Sequence, residues 1–143
     1  MSAPAAFAWP IRVYWEDTDA GGIVFYANYL KFFERARTEW LRHLGVQQHD
    51  LKERTGGMFV VTATQMRYLR PARLDDVLTV TARVSDMGAA RVKLMQQAFS
   101  ESKQLLCEGE IDIAWVNSHT MLPQRMPPAL RQALQGPTPE ITS

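Results

Sequence analysis

Between Phe25 and Leu44 large apolar residues return every three or four positions: Phe25, Tyr29, Phe32, Phe33, Ala36, Trp40, Leu41 and Leu44. That is the period of an amphipathic helix, and Gly45 is a natural stop for it. The apolar positions exceed a single narrow stripe, so the helix must be enclosed by something. Its polar positions, Lys31, Glu34, Arg35, Arg37, Glu39 and Arg42, are mostly long-stemmed side chains that cover apolar surface while keeping their charges wet. Downstream the period drops to two, over residues 58–69, 76–86, 90–100 and 104–116, which predicts four strands. A fifth, IRVYW at 11–15, follows Pro10. The short breaks Met87-Gly88-Ala89 and Glu101-Ser102-Lys103 make the last three strands an antiparallel meander. The expected fold class is α+β, a five-stranded antiparallel sheet wrapped around one long helix. Such a sheet has long edges, so association through an edge strand is expected.

A chain of 143 residues fits one domain, 1–143, and at that length about 70% of the unfolded surface is buried on folding. Five of the eight prolines fall after Thr120, with a short helical segment PPALRQAL before Gly136 and an end, 137–143, expected to be mobile. The net charge of +1 makes the chain no general trap for nucleic acid or anionic lipid. A single cysteine, Cys107, forms no internal disulfide and agrees with a reducing compartment. There is no secretory leader pattern and no apolar run near the ~18 residues that span a bilayer, so a cytoplasmic protein without membrane insertion is expected.

Hydrolase elbows, phosphate-binding loops and dinucleotide turns are all missing. A calcium loop beginning at Asp17 would have Gly21 and Asn28 at the positions that need ligands. His43, His49 and His119 lack metal-ligand spacing, so no metal is expected. Cys107 sits in strand patterning and reads as a packed thiol. Arg67, Arg70 and Arg73, with Tyr68, form a local basic patch open to three readings: solvated charge, single-stranded RNA, or the phosphates of an anionic small molecule.

The remaining feature is YWEDTDAGGIVFYANY at 14–29, three acids in four positions and two glycines at the edge of the apolar helix. Acids favour a helix N-terminus, but capping needs only one. The excess, followed by glycines that allow close backbone approach, suggests a carboxylate beside amide donors, two parts needed for attack on a carbonyl. DTDAGGIVFYANYLKFFERAR resembles the signature of the 4-hydroxybenzoyl-CoA thioesterase family of hotdog-fold proteins. RTEWLRHLG, WPIRVYWEDTDAGG and RYLRPARLDD are most similar to its Tol-Pal-associated acyl-CoA thioesterase branch.

The resemblance implies hydrolysis of short-chain or aromatic acyl-CoA, with Asp19 as general base or nucleophile and the backbone N–H of Tyr26, at the helix start, as oxyanion donor. It makes Asp17 secondary. Members of the branch carry histidine or an aromatic where Tyr26 stands, so the N–H rather than the side chain is carried over. Homotetramers built from dimers, active sites at subunit contacts and coenzyme A held by basic residues are also implied. Arg67, Arg70 and Arg73 become candidates for that contact, and Val60 and Val61, after the second glycine pair, for the acyl pocket. Coenzyme A is then part of the substrate, with no separate cofactor and no nucleic-acid partner. Other readings are a hotdog protein that binds acyl-CoA or a Tol-Pal partner without catalysis, RNA binding through 67–73, and a dehydratase, which needs a histidine this helix start lacks. Glu34 and Glu39 read as solvated or ion-paired.

Overall fold

The computed structural model describes residues 7–135, so the expectation for 137–143 lies outside the described residues. In chain order it contains β1 (Phe7–Arg12), a 3-10 turn (Trp15–Asp17), α1 (Asn28–His43), α2 (Gln48–Thr55), β2 (Gly57–Tyr68), β3 (Val77–Met87), β4 (Arg91–Phe99), β5 (Leu105–Asn117) and α3 (Pro128–Leu134). The strands form one antiparallel sheet in the order β1-β3-β4-β5-β2, with α1 against its inner face.

Four strands and α3 fall within a residue of their expected bounds, the strands because period-two segments end at short polar breaks and α3 because Pro128 opens it. Three elements differ: α1, which begins at Asn28 rather than Phe25, β1 and α2. β1 begins earlier than residue 11 and runs through Pro10, which pairs with Thr79. Pro10 is tolerated because β1 is an edge strand, where a missing N–H leaves no ladder partner unsatisfied. α2 was not expected, since QHDLKERT carries a single apolar residue and hence no period. Its end is fixed by Gly56 in the left-handed region, φ 73°.

Phe32, Phe33 and Ala36 of α1 meet Leu78, Val80, Leu94 and Ala98 in one fully buried core. A Cβ on Gly109 would collide with Met66 and crowd Phe33, so the bare backbone there is what lets α1 settle on the sheet. The helix is also pinned by the wholly buried Gln96 of β4. Its Nε2 donates to the carbonyls of Phe33 (3.0 Å) and Thr81 (3.2 Å), and its Oε1 accepts from Arg37 Nη1 (3.0 Å). The tail is tied back by Met126 N–H to Ala89 O (2.9 Å) and an Arg131 contact with Gly88 O. Among the described residues β2 pairs only with β5, and Val61 to Gln65 stay exposed along its other edge.

Candidate active site

The acidic stretch folds into a tight loop whose two aspartates separate. Asp17 is 3% exposed. Its Oδ2 accepts the N–H of Tyr14 (2.9 Å), and its carbonyl accepts from Phe25 N–H (3.2 Å) and Asn28 Nδ2 (2.8 Å). It therefore fixes the approach to α1. Asp19 is exposed. Its N–H donates to Ile23 O (2.9 Å), its carbonyl accepts from Gly22 N–H (3.0 Å) and its Oδ1 accepts from Gly21 N–H (2.8 Å). Oδ2 has no partner among the described residues. Gly22 adopts φ +80°, and a Cβ on Gly21 would come within 3.3 Å of Asp19 Oδ1. The glycine pair thus shapes and orients the carboxylate rather than lining an anion hole.

The amide donors lie further on. Val24 and Phe25 are held in an extended path by a bridge to Thr18 and by Val24 N–H to Ala72 O (2.8 Å), so α1 begins at Asn28, not Phe25. Tyr26 lies in the turn just ahead of it. Asn28, Tyr29 and Leu30 direct their N–H groups to the carbonyls of Phe25, Tyr26 and Ala27, which closes the first turn. The N–H groups of Tyr26 and Ala27 make no hydrogen bond among the described residues. Among the described residues no side chain caps this end, and no acid sits in its first turn, so they leave the positive end of a 16-residue helix uncompensated.

The 70–74 segment is laid against the same loop, through an Ile23–Arg73 bridge and Leu74 N–H to Gly22 O (3.4 Å). Tyr29 Oη accepts the N–H of the buried Ala72 (3.0 Å). Tyr68, noted in the sequence only as the aromatic of the basic patch, meets Tyr26 edge-on (5.6 Å between centroids) and Tyr29 at a tilt (5.7 Å). Burial pushes the phenols of Tyr29 and Tyr68 above their ordinary range, so both stay protonated at neutral pH. Ala72 acts through its main chain, which no sequence motif signals.

The basic patch divides. Arg67 follows the inward-facing Met66 on β2, so it points to the outer face, where Nε and Nη2 contact Glu108 Oε2 (3.1 and 2.6 Å). The Arg70 and Arg73 guanidinium groups have no partner among the described residues. Val60 and Val61 line a cavity of about 130 Å³ between β2 and the second to fourth turns of α1, away from Asp19 within one protomer. Glu34 is exposed, in keeping with the solvated reading, and with Arg37 it lines the rim of that cavity; Glu39 is ion-paired with Arg42 (2.7 Å).

Residues 13–134 match the model of the thioesterase-like superfamily. The chain is 41% identical over 125 residues to the acyl-CoA thioester hydrolase YbgC of Escherichia coli O6:H1, covering 87% of this chain and 92% of that one. It is 41% identical over 127 residues to the acyl-CoA thioesterase YbgC of Haemophilus influenzae, covering 89% and 93%. A crystal structure of a probable thioesterase from Bartonella henselae has a TM-score of 0.80 at 34% identity, covering 86% of this chain and 100% of that one. The match takes in the acidic loop, the central helix and four of the five strands, and the chain belongs to the thioesterase-like superfamily.

Proposed function

We propose that this protein hydrolyses acyl-CoA thioesters to the free acid and coenzyme A. The observation that carries the reading is a backbone-clamped Asp19 with one free carboxylate oxygen, held in the loop that leads into an uncapped helix start with two free N–H donors. The thioester oxygen occupies the Tyr26 and Ala27 donors as charge builds on it, and losing one such donor typically costs about 100 to 1,000-fold in rate. Asp19 either deprotonates the attacking water or attacks the carbonyl to give a mixed anhydride that water opens. In both routes water supplies the hydroxyl of the acid and a proton to the thiolate. Free thiols ionise near pKa ~8.5, so the leaving group needs no strong general acid.

The phosphates of coenzyme A fall to Arg70 and Arg73, whose guanidiniums are free; Arg67 joins them only by exchanging Glu108 for phosphate. The cavity beside Val60 and Val61 receives the acyl group, and its volume suits short or single-ring chains. One protomer holds this cavity and the Asp19 loop apart, so a second copy, paired along the free edge of β2, completes the site, with two such dimers forming a tetramer. A cytoplasmic place of action is part of this proposal, in keeping with the single free thiol of Cys107; no helix among the described residues is long and apolar enough to cross a membrane. Any contact with an envelope complex such as Tol-Pal is then peripheral. A panel of short, long and aromatic acyl-CoAs, followed by thiol release, tests the reading. Turnover of the short or aromatic members is expected, whereas tight binding of the esters without thiol release would make the protein a carrier.

A further inference from the structure

Two cavities lie against the start of β2. The first is the cavity of about 130 Å³ beside Val60 and Val61. The second, about 220 Å³, lies beneath α2, with Leu51, Met58 and Trp115 as its apolar wall. Phe59 and Gln48 line both. The Phe59 ring meets the indole of Trp115 edge-on, 5.0 Å between centroids at 68°. Trp115 is itself fixed, because the indole fills the space that a Cβ on Gly57 would need. Phe59 therefore stands as a partition braced by an immobile neighbour. The roof above the second cavity is lightly held: α2 has no buried residue, and Leu51 is its one apolar side chain.

We propose that Phe59 sets the length of acyl chain this protein accepts, straight-chain acyl groups ending against its ring and the space beneath α2 being an extension that the ring shuts off. The proposal rests on the acyl-CoA reading of the first cavity. The first cavity is open and mixed, with Phe59, Val60, Val61 and Leu94 on one side and Glu34 and Arg37 on the other; its volume of about 130 Å³ is near the ~150 Å³ that holds a benzene ring, so its apolar side suits acyl groups of roughly six carbons or fewer beyond the thioester. Removing the ring joins the two spaces and gives further methylenes an apolar wall. Each methylene so buried is worth about fourfold in binding.

The test measures kcat/KM for saturated acyl-CoAs from four to fourteen carbons in the wild type, Phe59→Ala and Phe59→Trp. Wild-type rates should fall beyond about eight carbons. Phe59→Ala should raise the ratio of decanoyl- to hexanoyl-CoA at least ~10-fold, and Phe59→Trp should lower it. The same ratio in both variants as in the wild type overturns the proposal. Phe59→Leu replaces Phe59→Ala if the latter fails to fold, with a smaller rise expected. S-hexyl- and S-decyl-CoA thioethers, which cannot be hydrolysed, are titrated calorimetrically against the same proteins. Thioether binding whose length preference follows residue 59, in a protein that cleaves no ester, upholds the length rule and removes the hydrolase reading. Ester cleavage with a preference indifferent to residue 59 does the reverse.

Discussion

Asp17 and Asp19 are two positions apart, and the backbone turns between them so that one faces the core and the other solvent. The difference is one of partners: Asp17 spends its carboxylate on Tyr14 N–H, while Asp19 keeps an oxygen free and has its main chain clamped on both sides. The D-x-D spacing with two glycines was legible in the sequence, and the resemblance ranked Asp19 ahead of Asp17, but the contacts that separate the two were not, because they depend on Phe25 and Asn28 returning to Asp17's carbonyl. Arg67 shows the same limit. Its outward face and its partner Glu108, 41 residues away, are properties of strand register rather than of a local motif. Cys107, fully buried on β5, has its thiol pushed up to about 12 by burial, with Glu108 adding to the effect, against an ordinary 9.0. A raised folded-state value contributes stability that is complete below pH 9 and lost as pH climbs from 9 towards 12, where only the unfolded thiol ionises. The thiol should resist alkylation in the folded protein at pH 8, and the melting temperature of wild type should fall more steeply between pH 8.5 and 10.5 than that of Cys107→Ala. Parallel melting curves for the two proteins would contradict this.

At the scale of elements, the period-two and 3.6-residue patterns located β2 to β5 and most of α1; β3, β4, β5 and α1 bury one face in the common core, whereas β2, the edge strand, buries only Gly57 fully. They misplaced the start of α1. Phe25 fits the helical period, yet it is 46% exposed and bound to Asp17, because the chain crosses the 72–74 segment before it can coil. They also missed α2, which is held from one side by β2 and needs no stripe. Between α1 and the sheet, Gln96 is the hidden joint: a polar residue in the middle of an apolar strand, legible as a departure from alternation only once its three partners are known. Gln96→Leu should strip Arg37 of its acceptor and leave the Thr81 carbonyl without its side-chain donor, at a cost of about 1–3 kcal/mol. Urea unfolding measures it, as a lower midpoint at unchanged slope. A midpoint equal to wild type would mean that water replaces the amide at no cost.

The whole molecule places the proposed catalytic parts, Asp19 and the open helix start, at one end of α1 and a cavity of about 130 Å³ along its later turns, with the edge of β2 beside the cavity. Under the proposed function that layout gives the edge strand its role, two copies joined there turning two half-sites into complete ones. The expectation of edge association came from counting strands around one helix, before any site was known. What the account stands on, however, is the pairing of Asp19 with the open helix start. Asp19→Asn keeps an oxygen to accept the Gly21 N–H, so the loop should hold its shape. The decisive measurement is kcat/KM for this variant on an acyl-CoA the wild type cleaves, alongside its melting temperature. The account predicts a fall of about 100- to 10,000-fold, in line with loss of a positioned base, with the melting temperature unchanged. Wild-type turnover in a folded Asp19→Asn protein would contradict it.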